Sequence, residues 1–371
     1  MAYCSEQIGR KLRILSFVAT LSVVVIHTNH LEDLREVPLA WWVGRFIAGM
    51  QLWAVPFFFM VSGFFFERAF ERRNIMQDLP AFLGRKVRTV LLPYLLWGIC
   101  YGIPAMTGLK IGVALKNGEA SDIWAGTVFS QWGSWTFWDS IFGISHAPLI
   151  GALWYLRVLI IVFATAPLWL FLVRRFRWLA VCAALAIIAV SPLSGMFEEQ
   201  FAMPFGGVFR IKINAFGWIL AGMCMGGMRF DEAVCGKCAS VLCAVAWGVC
   251  ALAPLPWIFS GGEAPFAANL LRQVSPFFTL AALWGFGDWL SARLPDKLPE
   301  VFSLGFWIYC MHHPVAAYVG AMGHAIIGES VAAKCIAQAF AWAVTFAVSA
   351  VAGLAAKRYM PKTYGLLCGG R

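Results

Sequence analysis

Apolar and polar positions along this chain separate into long apolar runs divided by short, mostly basic clusters. A helix needs about 20 apolar residues to cross the hydrocarbon core of a bilayer. Runs of that order predict spans at 12–29, 43–66, 89–106, 148–173, 178–193, 213–228, 238–259, 270–287, 301–325 and 332–356. Two of them, 178–193 and 270–287, are short or carry charge. The expected fold class is an all-α integral membrane protein: ten transmembrane helices in one bundle, a single domain over residues 1–371.

Composition agrees: 61% of residues are hydrophobic and 13% charged, whereas soluble domains are about half apolar and a quarter charged. A net charge of +10 would suggest nucleic acid in a soluble protein, but its distribution points elsewhere. With the N-terminus in the cytoplasm, 20 of the 29 Lys and Arg fall on the cytoplasmic side, counting Arg13 at the start of span one. Seven fall on the outer side, counting Arg272 and Lys334 at the outer ends of their spans, and Arg45 and Arg157 lie within spans. This positive-inside bias puts both termini in the cytoplasm. It makes membrane lipid the expected partner, not nucleic acid, and the cytoplasmic (inner) cell membrane the expected location. No cleavable leader is expected, because the run 12–29 is long enough to span and no small-residue cleavage site follows it.

Two segments outside the spans stand out. The cytoplasmic segment 67–89 holds six basic residues against three acidic. The outer loop 107–147 contains SQWGSWTFWDS, whose aromatics suit an interfacial anchor or a roof over a cavity. Cys100, Cys182, Cys224, Cys243, Cys250 and Cys310 lie inside spans, where cysteine acts as a small apolar residue. Cys235 and Cys238 make one CxxC, which is half of a tetrahedral zinc site.

Ionisable groups inside the spans are the candidates for chemistry. In VVVIHTNH, His27 lies fourteen residues beyond Arg13, about 21 Å along a helix at 1.5 Å per residue, in the outer third of the core. His30 follows nearly one turn later. A buried imidazole at that depth is costly and marks a water-lined cavity or a site by default, with a hydrogen-bonded or snorkelling histidine as the alternative. Neutral imidazole is a natural general base near pH 7. His312 and His313 form a second pair in the ninth span, and could equally stabilise a helix break at Pro314. Arg157 sits deep in the fourth span, one turn beyond Trp154 and Tyr155, which could stack on a sugar ring. Arg85, Lys86 and Arg88 stand at the cytoplasmic start of the third span. Arg85 and Arg88 share a helical face and match phosphate oxygens bidentately, although anchoring to anionic lipid would explain the cluster as well. Ser62 and Gly63 interrupt an aromatic run, where small residues permit close helix approach. No carboxylate accompanies the histidines within the spans, so no metal site is expected.

Five stretches, in order, resemble the membrane acyltransferase-3 family: RILSFVATLSVVVIH (13–27), FFFMVSGFFF (57–66), GRKVRTVLLPYLLWG (84–98), LWYLRVLI (153–160) and SLGFWIYCMHHP (303–314). The resemblance implies transfer of an acyl group, usually acetyl, from cytoplasmic acyl-CoA to a hydroxyl at or beyond the outer face. The acceptor it implies is an envelope or exported glycan or a lipid-linked sugar. Acyl-CoA is then a donor substrate, and no permanently bound cofactor is expected. The family's first-span histidine, its proposed base, falls on His27, its basic pair on Arg85 and Arg88, and its late-span histidine on His312. Arg157 or His312 would stabilise the developing oxyanion. One departure is Ser16, where members usually carry arginine; Arg13 stands one turn earlier. A proton-coupled transporter or glycan flippase is the rival class, and paired broken helices in inverted repeats would favour it.

Overall fold

The computed structural model describes residues 6–29, 31, 37–71, 75–103, 134–143, 148–190, 199–202, 208–211, 213–227, 237–260, 262–326 and 330–370. His30, Cys235 and most of the outer loop 107–147 lie outside them. The protein is a helical membrane protein. The described α-helices are α1 (Glu6–His27), α2 (Pro38–Gln51), α3 (Ala54–Ala69), α4 (Ile75–Lys86), α5 (Leu92–Trp97), α6 (Trp135–Phe142), α7 (Trp154–Ala164), α8 (Ala166–Arg175), α9 (Arg177–Val190), α10 (Ile213–Gly227), α11 (Lys237–Leu252), α12 (Leu255–Phe259), α13 (Phe266–Ser291), α14 (Gly305–Ile326), α15 (Val331–Tyr359) and α16 (Pro361–Leu367). Among the described residues three helical stretches are long and apolar enough to cross a membrane: Pro38–Ala69, Lys237–Phe259 and Val331–Tyr359. The bent pair α7–α8 makes a fourth if it forms one span. Among the described residues the protein is all-helical but for a short antiparallel hairpin of β1 (Glu199–Ala202) and β2 (Val208–Ile211), with Glu199 opposite Ile211.

Local sequence explains the irregularities. Pro93 lacks an N–H to return to Thr89, and the chain before it is wound as π-helix over Val87–Leu91. The 71° bend between α7 and α8 falls at Thr165, just before Pro167. There the Thr165 hydroxyl donates to the Ile161 carbonyl at 2.8 Å, competing with the backbone ladder. Pro314, by contrast, does not break its helix: α14 runs through it.

α1 is the hub, touching α2, α3, α13, α14 and α15. Its basic start is built into the bundle. Lys11 is buried, pairs with Asp288 at 2.5 Å and lies over the Trp284 ring. The Arg10 guanidinium donates to the carbonyls of Ser291, the last residue of α13, and of Leu294 and Pro295 just beyond it, where a cation offsets the negative end of the helix. α10 lies along α3 at backbone contact. A Cβ on Gly63 would overlap the Ile219 carbonyl, and one on Gly222 would overlap the Met60 carbonyl. The expectation that Gly63 serves packing is met at this crossing. Glu67, at the end of α3, is buried and pairs with Arg174 of α8 at 3.1 Å.

Candidate active site

The end of α1 is pinned from three sides. The Thr28 hydroxyl turns back to the Val24 carbonyl at 2.7 Å, and the Thr28 carbonyl accepts from Gln338 of α15. Asn29 donates its amide to the Gly44 carbonyl of α2 at 2.8 Å. The Gln338 contact satisfies a carbonyl that the helix terminus would otherwise leave open, and together the contacts tie the end of α1 to α2 and α15.

His27 faces the second histidine pair. Its ring centroid lies 5.1 Å from that of His312 and 5.5 Å from that of His313. His312 is completely buried, with Nδ1 3.1 Å from the Ile308 carbonyl. A carbonyl can only accept, so Nδ1 carries the proton and Nε2 keeps a lone pair in the neutral ring. Among the described residues no hydrogen-bond partner reaches His312 Nε2 or His313 Nδ1. Nor are three His, Cys, Asp or Glu side chains disposed to hold a metal ion among them.

A cavity of about 280 Å³, counting its open mouth, lies against His27. Val23, Val55, Phe58, Ala152, Trp154, Tyr155 and Tyr309 complete its lining. The tyrosine hydroxyls are held by the protein: Tyr155 meets Ser62 Oγ at 2.7 Å, and Tyr309 donates to the Ala152 carbonyl. Each tyrosine therefore offers the cavity mainly its ring. Tyr309 and His313, one turn apart on α14, grip the 3-10 turn Gly151–Leu153 that leads into Trp154. A Cβ on Gly151 would press on His313 Nε2, so only glycine lets this turn approach so closely.

The structure thus gathers His27, His312, Trp154 and Tyr155, which are far apart in sequence. It does not bring Arg157 into the lining. The Arg157 guanidinium donates to the Gly143 carbonyl, and Tyr94 donates to the Phe142 carbonyl, so both hold the C-terminal end of α6. That short helix is capped at its start by Ser134 and at its end by Gly143 in the left-handed region (φ 62°). Arg85, Lys86 and Arg88 lie at the far end of α7. Lys86 sits 4.3 Å from the centre of the Phe163 ring, nine residues and about 14 Å of helix from Trp154. Arg85 and Arg88 are exposed, whereas Lys86 is half-buried between Phe82 and Phe163.

Sequence reasoning missed Val23, Val55, Phe58 and Tyr309 as lining residues. Signals existed for two of them: Val23 lies four residues before His27, and Tyr309 three before His312, the spacings that share a helix face. Nothing in the sequence marked Ser62 as the partner of Tyr155, because that contact joins α3 to α7.

The chain is similar to known proteins over most of its length. The chain is 25% identical over 267 residues to the succinoglycan biosynthesis protein ExoH of Rhizobium meliloti (strain 1021), a match covering 70% of this chain. The chain spans 64% of the length of that curated relative. No solved structure matches the chain significantly. A family model described as an acyltransferase domain matches residues 11–356. That match takes in α1 with His27, the basic cluster, the cavity walls on α3 and α7, and the histidines of α14. The chain belongs to the acyltransferase-3 family.

Proposed function

We propose that this protein is a multi-pass O-acyltransferase of the cytoplasmic (inner) cell membrane. It moves an acyl group, acetyl in the first instance, from cytoplasmic acyl-CoA to a hydroxyl of an envelope or exported glycan at the outer face. The supporting observation is the convergence of His27 with Trp154 and Tyr155 on one cavity, with His312 beside it, in a chain of this family. The relative's part in succinoglycan biosynthesis supports a glycan acceptor. The charge asymmetry of the sequence supports ten spans with both termini inside, and one membrane unit over residues 1–371.

In this mechanism the acceptor hydroxyl enters from the outer side and packs its sugar against Trp154 and Tyr155. His27 takes the hydroxyl proton as the oxygen attacks the thioester carbonyl. The new C–O ester bond forms, the C–S bond breaks, and the coenzyme A thiolate leaves and regains the proton. His312, its Nδ1–H fixed on Ile308 and its ring beside that of His27, orients or relays the proton. Arg85 and Arg88 hold the donor phosphates from the cytoplasm, and the extended pantetheine arm bridges the length of α7 to the cavity. Lys86 contributes charge from beneath. Arg157 acts by holding α6, the last helix of the aromatic segment, against the bundle.

The test uses membranes with and without the chain, supplied with acetyl-CoA labelled in the acetyl group. Base-labile label in envelope glycan, dependent on the chain, is the expected result. Label-free glycan together with undiminished acetyl-CoA would contradict acyl transfer and turn attention to a transport role.

A further inference from the structure

The cavity walls differ in kind. Val23 and His27 stand on successive turns of one face of α1, and Val55 and Phe58 share a face of α3. Val23, Val55 and Phe58 thus make an aliphatic and aromatic side of the pocket that also holds His27. Among the eight lining residues none is Lys, Arg, Asp or Glu. The two hydroxyls in the lining are bonded to Ser62 and Ala152. The space is a small pocket open at its mouth, and it must hold the reacting hydroxyl as well.

We propose that Val23, Val55 and Phe58 form a gauge that determines acyl specificity, admitting an uncharged group of acetyl size and rejecting longer or carboxylate-terminated ones. The proposal rests on the acyl-transfer reading above and concerns which group is transferred. The step is unchanged: the acyl carbon exchanges sulfur for the acceptor oxygen, and the proton taken by His27 passes to the thiolate. An added methylene must displace a side chain of the gauge, which costs roughly tenfold or more in relative rate. A terminal carboxylate would be desolvated against apolar walls with no Lys or Arg among the described lining residues to meet it.

The experiment supplies acetyl-, propionyl-, butyryl- and succinyl-CoA, each labelled in the acyl group, to membranes carrying wild type, Val55→Ala or Phe58→Leu. Label in envelope glycan is normalised to the protein present. Wild type is expected to favour acetyl over propionyl by about tenfold or more, with butyryl and succinyl lower still. Both variants are expected to bring propionyl to within about threefold of acetyl, without admitting succinyl. Equal acetyl and propionyl transfer by wild type overturns the gauge whatever the variants do. So does an acetyl-to-propionyl ratio that stays put in both variants while acetyl is still transferred. Absence of label from every donor with wild type overturns acyl transfer itself, and the gauge with it.

Discussion

The histidine end of α7 and its basic end are built on different physical terms. At the histidine end several groups near the cavity are held by the fold: Tyr309 on Ala152, Tyr155 on Ser62, His312 Nδ1 on Ile308, and the end of α1 on Gln338 and Gly44. At the basic end Arg85 and Arg88 project exposed from a helix that turns π-wound at Val87. Fixed groups in a dry site suit bond-making, where orientation decides the rate. Mobile exposed cations suit capture of a polyanion, where charge matters more than angle and salt screens the attraction. The proposed function places chemistry at the first end and donor binding at the second.

The contrast can be broken most drastically by removing the frame behind the cavity. Gly63→Val would drive a side chain into the α10 backbone, far beyond ordinary overpacking of about 1–3 kcal/mol. Folded protein recovered from membranes should fall close to zero, as measured by detergent-resistant monodisperse yield. Next in size, His312→Gln should lower turnover about 10²-fold, within the range of a lost acid–base partner. The KM for acyl-CoA should stay within about twofold, which single-donor titrations would check. At the basic end the pattern reverses. Arg85→Gln combined with Arg88→Gln should raise the KM for acyl-CoA about tenfold, a loss of phosphate contacts, and leave turnover nearly intact. That difference should shrink when salt is raised to about 1 M, where the screening length falls to about 3 Å. Smallest of all, Ser62→Ala removes one hydrogen bond from Tyr155, worth about 1 kcal/mol. It should cost a few-fold in transfer at unchanged donor KM.

Much of this was legible in sequence because a membrane simplifies the code. Apolar runs located the helices, and the expense of a buried imidazole singled out His27 and His312 before any geometry was available. The small residue Gly63 in an aromatic run announced a close crossing. What sequence could not give was partnership across helices. Trp154 and Tyr155 were candidates for their chemistry, but only the packing of α3, α7 and α14 around α1 makes them walls of the histidine cavity. Arg157 shows the limit of depth as a guide. An arginine inside a span had to be satisfied somehow, and the structure satisfies it with the Gly143 carbonyl at the end of α6. Lys86 teaches the same point: charge placed it with Arg85 and Arg88, but its ammonium group lies against Phe163. The hairpin β1–β2 left no hydrophobic signature, because its strands are only four residues each.

The central claim is that His27 is the base at the cavity. Its most direct test compares wild type with His27→Ala at equal membrane level, reading labelled acetyl transferred from acetyl-CoA to envelope glycan. Transfer by the variant should drop by about 10² to 10⁴, with binding of acetyl-CoA to the Arg85–Arg88 end preserved. Equal labelling by the two proteins would contradict the account and move the proton-accepting role to His312.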